Sequence, residues 1–460
     1  MPLVMGVDSS TQATKVEVRD ADTGTRVGVG RAPHPSTTPP RSEQHPEDWW
    51  DAFVAARRIA EREHQADAVS VAAQQHGLVV LDAAGAVIRP AKLWNDTESA
   101  PDAAWLRGRL DGGAAAWAEA CGSVPLAAFT ITKLSWLHRS EPEAFARIAR
   151  VGLPHDWLAW RLTGEWETDR GDASGTGYWS PAENRWRTDL LEIVDAGTDW
   201  AATLPQVQDP AGATGTGDNM AAALGLGLRP GDVAISLGTS GTVFAVSETP
   251  TADATGSVAG FADATGRFLP LVCTLNATRV TNAVARLLGV DVRQLGALAA
   301  ESEPGADGVT VLPYFDGERT PDRPEARGVV TGLRSDVTRE AFARAAFEGV
   351  VCGLLDGLDA LRVAGVGVDG RLFLVGGGAQ SSMYRQVVAD LVQRAIVVPD
   401  EAELVALGAA VQASARLARR PVAEVQEAWA VGTGHEVAPA IDSDRASAIR
   451  AAYASVRDPS

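Results

Sequence analysis

The sequence predicts an α/β protein built from two domains of similar architecture. A strand–polar turn–strand pattern occurs at residues 3–19 and returns at 232–246. Between the two lies a glycine-rich run, Leu224-Gly225-Leu226-Gly227-Leu228-Arg229-Pro230-Gly231, which marks a hinge or boundary. Around both patterns, short apolar runs alternate with segments of helical spacing. The expected division is residues 1–225, residues 226–438 and a helical tail at 439–460.

Composition narrows the function classes. Hydrophobic residues make up 45% of the 460-residue chain and charged residues 22%, ordinary values for a globular protein. A formal net charge of −18 argues against a nucleic-acid backbone or an anionic membrane as main partner. Cys121, Cys273 and Cys352 are far apart and include no CxxC pair, so neither a disulfide framework nor a zinc site is expected. The N-terminus has no basic region followed by an apolar run, and no stretch approaches the roughly 20 apolar residues of a membrane span. A cytoplasmic location is therefore expected.

Leu3-Val4-Met5-Gly6-Val7 reads as a buried strand, and Thr14–Arg19 alternates with period two as its partner. Asp8-Ser9-Ser10-Thr11-Gln12 turns between them, and Arg26–Gly30 supplies a third strand. Backbone N–H groups and the Ser and Thr hydroxyls of such a hairpin can donate to phosphate, while Asp8 can hold Mg²⁺ through a water. The same residue types also make a plain surface turn. Glu43–Trp50 opens a helix running towards Glu63, with proline and acidic residues at its start. Ala68–Ala73 is another buried strand, ending at Gln74-Gln75-His76-Gly77. Leu78–Asp82 and Gly85–Ile88 read as a hairpin, and Ala91–Trp94 ends at Asn95-Asp96. Strand ends are where α/β folds place their sites. Gln75, His76, Asn95 and Asp96 can hydrogen-bond hydroxyls, and Trp94 could face a sugar; a structural histidine and a core tryptophan are the plain alternatives. Residues 99–205 are mostly helical, and their many tryptophans are expected in packing.

Gly215-Thr216-Gly217-Asp218-Asn219 then offers one carboxylate on a glycine-loosened loop at a helix start. An aspartate there is ordinarily an N-cap, and the functional reading is a general base. Past the boundary, Asp232–Leu237, the turn Gly238-Thr239-Ser240-Gly241 and Thr242–Val246 repeat the opening pattern. Arg371–Val375 runs into Gly376-Gly377-Gly378-Ala379, and Ser381 or Ser382 caps the helix that follows. Three glycines between strand and helix allow close backbone approach to a flat ligand or a phosphate, although such turns also occur without one. Gly365–Gly370 matches GxGxxG but precedes a strand, so the dinucleotide context is wrong, and GxxxxGK[ST] is absent.

Two phosphate-cradling hairpins point to a nucleotide held in a cleft between two similar domains. The polar strand ends of the first half suit a polyhydroxylated ligand. Phosphoryl transfer to an alcohol needs positioned phosphates, a metal and a carboxylate that takes the hydroxyl proton. Asp218, beside the hinge, is the candidate for that carboxylate.

An ordered set of motifs adds to this reading: Asp8–Lys15; Ser42-Glu43-Gln44 with Trp49-Trp50; Gln74–Gly77; Leu93–Asp96; Phe129-Thr130 with Lys133 and Trp136; Gly217–Asn219; Ser236–Gly241; Pro313-Tyr314 with Gly317-Glu318-Arg319-Thr320-Pro321; Gly376–Ala379; and Ala406–Ala410. The set resembles the FGGY carbohydrate kinases of the actin–hexokinase–Hsp70 superfamily, and within them the branch acting on D-xylulose. The resemblance runs from about Val4 to about Leu417. It implies two ribonuclease-H-like α/β domains with an interdomain cleft, and transfer from MgATP to O5 of D-xylulose. It implies Asp218 as proton acceptor, and Asp8 near metal and phosphates. The implied sugar contacts are Gln75, His76, Trp94, Asp96, Asp218 and Asn219. The implied nucleotide contacts are Ser10, Thr11, Thr14, Lys15, Gly238, Thr239, Ser240, Gly376, Gly377 and Gly378. Homodimers are common in the family.

Four departures stand out. Ser10 and Ala13 replace two glycines of the first loop, which predicts a different or strained backbone there. Gln75 stands where methionine is frequent, His155 where lysine is common and His45 where aspartate is common. Gln75 keeps open a kinase for another ketose or polyol, such as ribulose or an alditol. A non-catalytic ATP- or sugar-binding regulator and a chaperone ATPase are the rivals from other classes. A DNA-binding domain before Asp8 and a peptide-binding domain after residue 420 are not expected, which weighs against both.

Overall fold

The computed structural model describes residues 1–459. The chain forms two compact units. The first comprises Met1–Leu228, Glu248–Leu269 and Glu403–Gly432; the second comprises Arg229–Ser247, Pro270–Ala402 and the chain from Thr433 onward. The linear division expected near residue 225 therefore misses two later segments that return to the first unit.

The first unit is built on a sheet of β1 (Leu3–Ser9), β2 (Ala13–Asp20), β3 (Arg26–Pro33), β4 (Ala68–Ala73) and β5 (Gly215–Gly217), in the order β5-β4-β1-β2-β3. β1 pairs antiparallel with β2 and parallel with β4, which pairs parallel with β5. Every residue of β1 is buried, which is why that strand is almost wholly apolar. Side chains alternate across the sheet. Leu3, Met5 and Val7 pack with Trp49, Phe53 and Ala56 of the helix Pro46–Ala60, while Val4 packs with Ala410 and Ala413 of the helix Leu404–Ala418.

Glycines set how closely these layers approach. A Cβ on Gly6 would lie 1.9 Å from the Ala406 carbonyl oxygen, and one on Gly408 would lie 1.8 Å from that of Ala221. The helix Leu404–Ala418 is thus wedged, backbone to backbone, between β1 and the helix Asp218–Leu226. This contact draws residues 403–432 into the first unit.

The second unit repeats the connectivity. β6 (Val233–Leu237) pairs antiparallel with β7 (Gly241–Ala245), and β7 pairs antiparallel with β8 (Phe268–Thr274). β6 pairs parallel with β9 (Leu372–Val375), which pairs parallel with β10 (Ile396–Pro399); β11 (Gly434–Val437) closes that edge. The order β8-β7-β6-β9-β10 matches β3-β2-β1-β4-β5 strand for strand, the ribonuclease-H-like order, so the repeat predicted from the two hairpins is real. The long helix Arg339–Val363 is buried along most of its length. The expected terminal helix spans Ser443–Arg457, capped by Asp442 and packed through Ala446, Ile449 and Tyr453.

The expected hairpin at 78–88 forms as a short one: Val87 bridges Leu81 antiparallel, Asp82 N–H donates to the Ala86 carbonyl and Ile88 N–H to that of Val80. On its other edge Val79–Leu81, fully buried, pairs with Arg150–Gly152. Most of the tryptophans are in packing as expected; Trp117, Trp157 and Trp179 are fully buried. No helix among the described residues is long and apolar enough to cross a membrane.

The glycine wedge gives a stability prediction. Gly408→Ala must push apart two helix backbones and should cost about 1–3 kcal/mol, read as a fall of several degrees in the thermal midpoint. Gly367→Ala, where an added Cβ meets nothing within 4 Å, serves as the neutral control. Equal midpoints for the two variants would contradict the wedge.

Candidate active site

Register brings the candidate residues of the first unit together. Ser9 is aligned with Ala73, and Ala73 with Gly217, so three parallel strands end side by side. Asp8, Gln75 and Asp218 lie at or just beyond those ends, where open α/β sheets place ligands.

Asp8 lies opposite Lys15 on β2, and its Oδ2 is 3.5 Å from Lys15 Nζ. Lys15 is held in turn by Glu403 at 2.6 Å, at the start of the wedged helix. Asp8 Oδ1 is buried and has no hydrogen-bond partner among the described residues. Burial pushes the Asp8 carboxyl up to about 6, against the pull of Lys15.

Asp218 is the first residue of its helix; the N-cap is Gly217, so the simple capping reading does not hold. Its Oδ1 accepts the backbone N–H of Asn219 at 2.8 Å and Asn219 Nδ2 at 3.0 Å. Asn219 Nδ2 also donates to Gln75 Oε1 at 2.9 Å. Burial, reinforced by the charge of Asp8, pushes the Asp218 carboxyl up to about 7 despite the Asn219 donors. The glycines before it do not form a loosened loop; they form β5. A Cβ on Gly215 would lie 1.8 Å from the Val71 carbonyl oxygen, and one on Gly217 would lie 2.7 Å from Gln75 Cγ. They are small so that β4 and Gln75 can come close.

His76 sits in the left-handed region at φ 67°. Its Nδ1 is 2.7 Å from the Gly175 carbonyl, so Nδ1 carries the proton in that bond. The ring packs against Phe129 and Phe261, with centroids 5.1 and 5.5 Å away. Lys133, fully buried, donates to the carbonyls of Ala127 and Ala128 and so supports the turn that carries Phe129. Trp94 is partly exposed and donates through Nε1 to Thr11 Oγ1 at 2.9 Å, which ties it to the first hairpin. Ser10 Oγ donates back to the Ala13 carbonyl. Neither Ser10 nor Ala13 has a positive φ, so the strain expected from the lost glycines is absent.

Two predicted contacts are corrected. Asp96 is fully buried; its oxygens take Lys92 Nζ and the backbone N–H groups of Ser42 and Glu98. It locks a loop and does not face a ligand. Thr14 is fully buried, with its hydroxyl held between Ser9 Oγ and His34 Nε2, so it has no hydroxyl to offer a phosphate.

Beneath Gln75 lies a polar cluster that motif reading missed. Asp169 accepts from Gly171 N, Asp172 N and Thr216 Oγ1 on β5. His155 Nδ1 is 3.2 Å from Asp156 Oδ1 and 3.7 Å from Asp172 Oδ2. Burial works against charge on His155, but Asp156, together with the charges of Asp169 and Glu167, outweighs it and raises the imidazole. Asp172 is pushed well above the carboxylate range by burial and by the charges of Asp156, Asp169 and Asp218.

In the second unit, Ser236 is aligned with Val375, which places Leu237 beside the triple glycine. Gly376 has φ 85°, and a Cβ on it would lie 2.8 Å from the Leu237 oxygen; one on Gly378 would lie 2.7 Å from Leu237 Cβ. Those two glycines serve backbone packing, while Gly377 faces open space. The backbone N–H groups of Thr239 and Ser240 donate to no partner among the described residues, and Thr278, opening the helix Thr278–Leu288, binds the Gly238 carbonyl. A turn with unpartnered amides beside a helix start is an anion-binding arrangement.

The raised carboxyls predict a pH-dependent stability. Between the ordinary 3.8 and about 7, the folded chain keeps a proton on Asp218 that the unfolded chain releases, so stability falls as pH rises through that window. Asp218→Asn removes the cost. At pH 8, without metal or nucleotide, the variant should be more stable by on the order of a few kcal/mol in urea melts, with the gain fading towards pH 4. Equal stability at pH 8 would contradict the assignment.

Residues 3–246 match the N-terminal domain of the FGGY family of carbohydrate kinases, and residues 233–417 match its C-terminal domain. A xylulose kinase of Streptomyces coelicolor is 48% identical, over 97% of this chain and 94% of its own. A xylulose kinase of Haemophilus influenzae is 35% identical, over 89% and 90% of the two chains. The crystal structure of xylulose kinase from Bifidobacterium adolescentis is 40% identical and superposes with a TM-score of 0.87 over 99% of both chains. With strand order, site geometry and these relatives in agreement, the chain belongs to the FGGY family of carbohydrate kinases.

Proposed function

We propose that this protein transfers the γ-phosphoryl group of ATP to O5 of D-xylulose, with Asp218 as general base. The observation that carries the reading is the Asp218 carboxyl, raised to about 7 at the end of three aligned strands. A base works best with its pKa near the working pH, where it is largely ionised and still basic enough to take a proton. Asn219 holds Oδ1, which leaves Oδ2 to meet the hydroxyl.

Gln75, His76, Asn219 and Trp94 form the proposed sugar surface. On the nucleotide side, the amides of Thr239 and Ser240 and the start of the helix Thr278–Leu288 would hold phosphate oxygens, with adenosine at Gly376–Gly378. The backbone N–H groups of Ser10 and Thr11, whose hydroxyls donate to Ala13 and Gln74, and the Lys15 ammonium would add donors from the first hairpin. Asp8 fits a Mg²⁺ ion held through water, because its buried Oδ1 has no protein partner. Such an ion would offset phosphate charge. The work is placed in the cytoplasm.

Gln75 Nε2 is buried with no hydrogen-bond partner among the described residues, which favours a second reading in which it meets a hydroxyl of another ketose or polyol.

Two assays test the proposal. Asp218→Asn should still bind ATP and sugar but lose turnover by several orders of magnitude, and near-normal turnover would sink the assignment. ADP release measured over a panel of pentuloses and polyols should give the highest kcat/KM with D-xylulose. A higher value for ribulose or an alditol would move the function to that substrate.

A further inference from the structure

We propose that Glu318, in the segment Gly317–Pro321, is a positioning residue for the phosphate-binding turn Gly238–Ser240. It reaches the turn through the connector that joins β8 to the helix Thr278–Leu288, and the inference rests on the ATP reading above.

Glu318 is 3% exposed. Its Oε1 accepts the backbone N–H groups of Leu275 at 2.6 Å and Arg319 at 2.7 Å, and its Oε2 accepts Asn276 Nδ2 at 2.9 Å. Asn276 Nδ2 also donates to the Gly317 carbonyl at 2.6 Å. The carboxylate thus gathers donors from three residues, two of them in the connector. Bonds of this kind are shorter and stronger than neutral ones.

The next three residues of the chain hold the turn. Ala277 N and Arg279 N donate to the Thr239 carbonyl at 3.3 and 3.4 Å, and Thr278 N donates to the Gly238 carbonyl at 3.0 Å. Thr278 Oγ1 donates to the same Gly238 oxygen at 2.8 Å. Both carbonyls anchor the turn to the connector, in a conformation in which the N–H groups of Thr239 and Ser240 meet no acceptor among the described residues. Glu318 has no hydrogen bond to the turn itself, yet it fixes the segment from which all four donors come.

A glutamine at 318 would keep one oxygen for the two backbone donors but set its own NH₂ against Asn276 Nδ2. The connector would loosen, and the contacts that suffer would be those to phosphate. Adenosine has no phosphate and should not register the change.

Calorimetric titration of the wild type, Glu318→Gln and Thr278→Val with MgATP, MgADP and adenosine tests this. Glu318→Gln should weaken ATP and ADP about tenfold, leave adenosine within about twofold, and leave the KM for the sugar unchanged. Thr278→Val, which loses only the Oγ1 bond, should show the same phosphate-selective pattern at about threefold. Unchanged ATP affinity in Glu318→Gln, or equal losses for ATP and adenosine, would overturn the role. If Glu318→Gln does not fold, the same criteria applied to Thr278→Val decide. A wild type that binds no ATP would instead overturn the proposed function.

Discussion

Taking two carboxylates out of water within range of each other's field is the constraint around which the first unit is arranged. Asp8 and Asp218 sit at the ends of β1 and β5, separated in the sheet only by β4. Burial lifts both, and Asp8 lifts Asp218 further. The surroundings offset this only in part. Lys15 faces Asp8 but shares its charge with Glu403, and Asn219 gives Asp218 two donors without a charge. The stability lost leaves Asp218 poised near neutral pH, as the proposed general base requires.

Holding that pair in place falls to backbone contacts. The helix that begins at Asp218 crosses the helix Leu404–Ala418 at Gly408 and Gly225, where an added Cβ on either would strike the partner's backbone. The second helix also rests on β1 at Gly6, two residues before Asp8, and begins beside Glu403, the partner of Lys15. One packing contact therefore fixes both acids and Lys15, the cation beside Asp8. The chain returns at residue 403 to complete the first unit through this helix.

Much of this was legible in the sequence. The paired hairpins, the buried strand Ala68–Ala73 and the helix after Asp218 follow from apolar periodicity, and the repeated hairpin announces the repeated strand order. Asp8 and Gln75 stand at strand ends that can be read locally, whereas Asp218 reads as a loop residue before a helix, because a three-residue strand with two glycines has no apolar signature. Side-chain direction cannot be read locally. Asp96 and Thr14 also lie near strand ends, but Lys92 and His34 turn them inward. The glycines were visible, but their reason was not: Gly215, Gly217, Gly376 and Gly378 make room for protein, while Gly377 beside them faces open space. The cluster of His155, Asp156, Asp169 and Asp172 has no sequence signature, since its coherence depends on β5 running beside it. Glu318 stood in a noticed motif, yet its role needs Asn276, 42 positions away in the chain.

The account depends most on the state of Asp218 before any ligand arrives. Carboxyl ¹³C chemical shifts, followed from pH 4 to pH 9 in the metal-free protein labelled at aspartate, measure it directly. One resonance should titrate near pH 7, vanish in Asp218→Asn and move to a lower midpoint in Asp8→Asn, where the repelling charge is gone. A resonance assigned to Asp218 that titrates below about pH 5, in the ordinary carboxylate range, would contradict the claim that burial and Asp8 make it the base.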